Sequence, residues 1–109
     1  MHSFNSFIQR LNEANVKDLP AFTSELVSTT YDMVSSEPEM QTRVGMVGFS
    51  VNDLKKLDKK SGKYKSGDIK ILAKVVEFFD NYMYDAGLSP EDYDWDGSEY
   101  KSLLKLLKV

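Results

Sequence analysis

Residues 68–87 read DIKILAKVVEFFDNYMYDAG. Ile69, Leu72, Val76, Phe79 and Met83 recur at alternating three- and four-residue steps, and Val75 and Tyr82 widen the stripe. That is the period of an α-helix with one buried side. Gly87 stands where a left-handed residue closes such a helix, so the spacing predicts a helix over 68–86. A period-two alternation, the signature of a half-buried strand, is absent here.

The segments on either side follow the same period. Upstream, Ser50-Val-Asn-Asp53 reads as a capping box opening a helix that carries Leu54 and Leu57, and SGKYKSG (61–67) breaks it. Asp18 can cap an earlier helix with Pro20 in its first turn, its buried side formed by Leu19, Phe22, Leu26 and Met33, until Glu37-Pro38 stops it. Phe4, Phe7, Ile8 and Leu11 predict a short amphipathic helix over 3–14. In residues 40–49 (MQTRVGMVGF) Gly45 and Gly48 weaken a helix, while Val44, Met46 and Val47 tolerate a short extended or helical piece; a helical turn or loop is expected ahead of a strand. Downstream, Ser89-Pro90-Glu91-Asp92 reads as a capped turn. Asp96 and Glu99 then open a last helix with Tyr100, Leu103, Leu104 and Leu107 on one side. The expectation is all-α: a small bundle of about five helices, one domain over 1–109, with residues 1–15 separable from it. A chain of 109 residues can bury one modest core without staples.

Charge is sorted into blocks. Residues 55–74 hold Lys55, Lys56, Lys59, Lys60, Lys63, Lys65, Lys70 and Lys74 against only Asp58 and Asp68. Residues 77–99 hold Glu77, Asp80, Asp85, Glu91, Asp92, Asp94, Asp96 and Glu99 and no Lys or Arg. A net charge of −3 therefore conceals a block of about +6 followed by one of about −8. Such fields steer partners and exclude wrong ones.

Enzyme chemistry has little to stand on. Cysteine is absent, which removes thiol catalysis and thiolate metal sites, and the single histidine is His2. Gly48-Phe-Ser50 imitates the start of a nucleophile elbow, but the closing glycine and an activating histidine are missing. The expected protein is therefore non-enzymatic. No apolar run approaches the roughly 20 residues of a membrane span, and the N-terminus lacks a signal-peptide pattern, so the expected location is cytoplasmic.

Seven of the thirteen aromatic residues (Phe78, Phe79, Tyr82, Tyr84, Tyr93, Trp95, Tyr100) lie between positions 78 and 100. Tyr and Trp supply large contact area at low entropic cost. The leading expectation is a protein-interaction module with an acidic, aromatic surface: Tyr93, Trp95 and Tyr100 anchor a basic protein partner while Asp92, Asp94 and Asp96 select it. The alternative is a nucleic-acid-associated protein whose Lys55, Lys56, Lys59, Lys60, Lys63 and Lys65 neutralise phosphates.

Three short resemblances add to this. Asp92-Tyr-Asp94-Trp-Asp96-Gly97 resembles the first half of an EF-hand loop, which implies calcium on Asp92, Asp94 and Asp96 in a calcium-responsive helix-loop-helix. The pattern departs at its eighth position, Glu99, and its twelfth, Leu103 in place of a bidentate Glu. Residues 57–69 resemble the middle of a helix-turn-helix, with Asp58 and Lys63 out of pattern. Phe4-Asn-Ser-Phe7-Ile8-Gln-Arg-Leu11-Asn12-Glu13-Ala14 resembles the capsid-targeting leader of T-even-type bacteriophage head proteins, with two extra residues before Glu13-Ala14. This resemblance implies a phage-encoded accessory or host-inhibitory protein, found in the host cytoplasm or the virion, with residues 1–13 a removable targeting segment.

Overall fold

The computed structural model describes residues 19–109. Among them are five helices, α1 (Thr23–Ser36), α2 (Pro38–Val47), α3 (Val51–Lys59), α4 (Ile69–Ala86) and α5 (Gly97–Leu107), and two single 3-10 turns, Ser66–Asp68 and Pro90–Tyr93. The all-α expectation holds. The helix expected over 3–14, the Asp18 cap and the leader resemblance fall outside the described residues.

Helix α1 packs against α3, α2 and α4, and α4 in turn packs against α5. The shared core is Leu26, Val27, Val34, Val44, Leu54, Leu72, Val75, Val76, Phe79 and Leu103, all without solvent exposure. The buried side of α1 is rotated from the expected one. Thr23, Leu26, Val27, Thr30 and Val34 face inward, while Met33 sits at the margin. Threonine can take a core position here because the Thr30 hydroxyl donates to the Leu26 carbonyl one turn back at 2.8 Å. The helix also begins later than Pro20 suggests. Thr23 N–H donates to Pro20 O at 3.1 Å in a turn that delivers Phe22 to the aromatic ring of Trp95.

Pro38 both ends α1 and starts α2. Its ring excludes the helical region for Glu37, which takes φ −128° and ψ 110°, and its own fixed φ suits the first helical position. The uncertain segment 40–49 is therefore helix to Val47, and Gly48 closes it at φ 109°. A side chain there would be strained and would press on Lys74 Nζ, 3.0 Å from the position of its Cβ. Ser50 and Asp53 form the expected capping box on α3: Asp53 N–H donates to Ser50 Oγ at 3.2 Å, and Ser50 N–H donates to Asp53 Oδ2 at 3.0 Å. Gly87 ends α4 at φ 71°, with Leu88 N–H returning to Met83 O at 2.8 Å.

Candidate functional site

The Asp92–Gly97 loop is built by its own side chains. Asp92 Oδ2 accepts Ser89 N–H at 2.7 Å and Ser89 Oγ at 3.2 Å, which closes the Pro90–Tyr93 turn. Asp94 then takes a left-handed conformation at φ 62°, and Trp95 N–H donates back to Pro90 O at 3.1 Å. Asp96 Oδ1 caps α5, accepting from Ser98 Oγ at 2.6 Å, Ser98 N–H at 2.8 Å and Glu99 N–H at 3.0 Å. The Ser98 hydroxyl foremost, then the two N–H groups, hold the Asp96 carboxyl below the usual carboxylate range.

This reversal at Asp94 turns Trp95 inward, which corrects its expected role as an exposed anchor. Trp95 and Tyr100 are each only 4% exposed. The indole stacks on Tyr93 (4.8 Å between ring centroids) and on Phe22 (5.1 Å), and meets Phe79 at 5.6 Å. Tyr100 lies 6.2 Å from Phe22, and its hydroxyl donates to Asp80 Oδ1 at 2.7 Å. Burial, then the hydrogen bond and charge of Asp80, raise the Tyr100 phenol far above its ordinary pKa. Burying large aromatic area against the core outweighs exposing it, and only Tyr93 of the three expected anchors stays half-exposed. The three aspartates do not converge either: Asp92 serves the turn, Asp96 the helix, and Asp94 faces solvent. Among the described residues no three His, Asp or Glu side chains group as a cation site.

What residues 77–99 expose is charge. Glu77, Asp85, Glu91, Asp92, Asp94, Asp96 and Glu99 are all at the surface. Among the described residues the ion pairs are Arg43–Asp85 at 3.9 Å and Lys60–Asp68 at 2.6 Å, and neither joins the basic block to the acidic one. Burial works to raise the Asp68 carboxyl, but its hydrogen bonds from Lys60 and Lys65 N–H, with the charges of both lysines, outweigh that and hold it low. Lys55, Lys56, Lys59, Lys63, Lys65 and Lys70 are exposed, and Lys60 and Lys74 half-buried. Lys56, Lys59 and Lys60 border a groove of about 350 Å³ floored by Leu57 and Ile71.

Helix α4 carries both signs. Its 18 residues span about 27 Å, with Lys70 and Lys74 in the first half and Glu77, Asp80 and Asp85 in the second. Its first turn holds no acid and its last turn no base. Lys70 in the first turn and Asp85 in the last run against the helix dipole, while Asp68 at the N-cap and the Arg43–Asp85 pair offset part of that cost. Helix α5, with Glu99 first and Lys105 last, has the ordinary order. Replacing Lys70 by Glu should accordingly stabilise the fold by about 0.5–1 kcal/mol. It would place an acid at the positive end of α4 and a Glu–Lys pair at i, i+4 with Lys74. Urea denaturation checks the sign; a loss of stability would contradict the dipole account.

Two apolar side chains missed as individuals by sequence reasoning flank the acidic half of α4. Met46 is 84% exposed and Tyr84 86%. Met46 stands at the lip of a groove of about 250 Å³ between α2 and α4, lined also by Arg43, Val47, Phe78, Asn81 and Tyr82. The signal for Tyr84 was present in its position, one residue beyond Met83 and so off the buried stripe. Met46 lay in the Gly45–Gly48 segment, whose facing could not be set before its helix was. No helix among the described residues is long and apolar enough to cross a membrane. No protein family, characterised protein or solved structure matches this chain.

Proposed function

We propose that this chain is a non-enzymatic protein-interaction module that docks a basic protein surface on the acidic half of α4 and the adjoining α2–α4 groove. Glu77 and Asp85 select the partner electrostatically, and Tyr84 and Met46 supply apolar contact area. The observation that carries this reading is that the exposed carboxylates of α4 and the following loop are unmatched by the basic block and lie beside exposed Tyr84 and Met46. Trp95 and Tyr100 serve it from beneath by fixing the loop whose Asp92, Asp94 and Asp96 extend the acidic surface. Such a surface suits a host-inhibitory or accessory role, which the leader resemblance implies.

The test is capture of partners from native lysate on tagged protein treated with nuclease, with Glu77→Lys/Tyr84→Ser as the comparison. A basic protein retained by the wild type and lost by the variant is the expected result. Equal retention by both removes the assignment to α4. A second reading, nucleic-acid association through Lys55–Lys65, rests on the exposure of five of those six lysines. It is favoured instead if the captured material is nucleic acid and its binding falls steeply with salt.

A further inference from the structure

Lys56, Lys59 and Lys60 rim the groove of about 350 Å³ between α3 and the start of α4, with Leu57 and Ile71 as its apolar floor. The two carboxylates in its lining are already engaged. Asp68 Oδ2 accepts from Lys60 Nζ at 2.6 Å and from Lys65 N–H at 2.8 Å, and Asp53 Oδ2 accepts the Ser50 N–H of the α3 cap at 3.0 Å. Lys56 and Lys59 are exposed and form no ion pair among the described residues. A group that fits this groove is apolar at its centre and negative at its flanks.

The second half of α4 presents such a group. Tyr84 is 86% exposed. Asp85 follows it directly, and exposed Glu77 lies two turns earlier on the same side of the helix. Glu77 has no ion pair among the described residues, and Asp85 has only the 3.9 Å contact with Arg43. A tyrosine ring adds a large contact area at low entropic cost, and its face attracts ammonium groups.

Groove and tyrosine share one helix, which decides how they can meet. Ile71 and Tyr84 both lie on α4. Their spacing along it is a rise of about 20 Å and a turn of about 140° around its axis. A chain cannot lay its own Tyr84 in its own groove. Two copies cannot exchange them across a two-fold axis either, because groove and tyrosine face away from each other and one partner cannot reach both.

We propose that the Lys56–Lys59 groove takes Tyr84, with its flanking Glu77 and Asp85, from a second copy of this chain. The copies then associate head to tail, and each one added leaves a groove and a tyrosine for the next. The proposal rests on the docking role of the acidic half of α4 and names the basic partner as this same chain. A contact built on one aromatic side chain and its flanks is at the small end of protein interfaces, so the association is weak and salt-sensitive.

Sedimentation velocity on the purified, nuclease-treated full chain, from micromolar to millimolar concentration, reads the association. At low salt the average mass of the wild type should climb past that of a dimer, and the Kd should rise about ten-fold at physiological ionic strength. Tyr84→Ser and, separately, Lys56→Glu/Lys59→Glu should each weaken association about ten-fold or more. All three positions are exposed, so far-UV circular dichroism should find both variants folded. Mixed in equal amounts, the two variants should pair, because the groove of the first accepts the tyrosine of the second, and the pairs should not grow. A mixture that fails to pair overturns the proposal, as does a wild type that stays a single chain or stops at a dimer. A single-chain wild type that binds duplex DNA through these lysines also overturns it and assigns the groove to phosphate. Lysate capture keeps this result apart from the docking reading, since Lys56→Glu/Lys59→Glu retains the acidic surface. If the wild type stays single while it and this variant both retain a basic protein that Glu77→Lys/Tyr84→Ser loses, the second copy is excluded and the docking surface stands.

Discussion

Trp95→Ala will cost about 3–5 kcal/mol of folding stability, the range for emptying a buried aromatic site. The indole is held on three sides, by Tyr93 at 4.8 Å, Phe22 at 5.1 Å and Phe79 at 5.6 Å. These partners come from the Pro90–Tyr93 turn, the entry to α1 and the middle of α4, so its loss loosens three segments at once. Against a total stability of roughly 5–15 kcal/mol for a domain, the variant will be marginal. Trp95→Phe should cost far less, about 1–2 kcal/mol. Phenylalanine keeps a ring between its neighbours and removes the indole N–H, which is buried without a partner. Urea denaturation followed by far-UV circular dichroism measures both, and Trp95, the single tryptophan, should show the blue-shifted emission of a buried indole in the native protein. An alanine variant as stable as the wild type would return Trp95 to the surface and restore it as a docking anchor.

The fate of Trp95 also marks where sequence reasoning reached its limit. The helices themselves were legible, because their signals are local: the three-four stripe of α4, the Ser50–Asp53 box, the Glu37-Pro38 stop and Gly87 each act within a few residues. Placement of an aromatic residue between two aspartates is not local. Trp95 is buried because Asp94 adopts a left-handed conformation and because Phe22, far away in sequence, arrives from the other end of the chain. Neither fact has a signature in the DYDWDG string, which reads equally well as an exposed acidic loop or a cation ligand set. Thr30 was invisible for a related reason: its burial depends on a hydroxyl bond to its own backbone, which hydrophobic periodicity does not register. The charge blocks were legible as composition, whereas their pairing depends on tertiary placement: Lys60 turns to Asp68 and Asp85 to Arg43.

That the basic and acidic blocks do not pair with each other bears on function through energetics. A sequence under pressure for stability alone would place acids at the start of α4 and bases at its end, each worth some 0.3–1 kcal/mol. This chain does so on α5, whereas α4 follows its N-cap Asp68 with Lys70 and closes on Asp85. Arg43–Asp85, at 3.9 Å between exposed side chains, recovers little of the difference. The surface field is thus kept at some cost, and exposed Tyr84 and Met46 are apolar area beside it for which the fold has no use. Stability and recognition are divided between neighbours: Phe79 and Met83 face the core while Tyr84 and Asp85, on the same turn, face out.

Phe79→Ala tests the inner half of that division and is the other large loss, again about 3–5 kcal/mol. Phe79 has no solvent exposure and meets Tyr82, Tyr93 and Trp95 at centroid distances of 6.0, 5.3 and 5.6 Å. Its removal opens a void that neither α4 nor the Asp92–Gly97 loop can close alone, since each is held by its own cap. Because Phe79 and Trp95 share a contact, their losses should not add. In a double-mutant cycle built on the milder Phe79→Leu and Trp95→Phe, the coupling should lie between about 0.5 and 3 kcal/mol, whereas additivity within about 0.3–0.5 kcal/mol is the mark of independent sites. Coupling in that range would tie the loop to the core through one aromatic cluster, so that the acidic surface is rigid because the interior beneath it is. Strict additivity would mean that the loop is ordered by its caps, and that loss of Trp95 would leave α4 undisturbed.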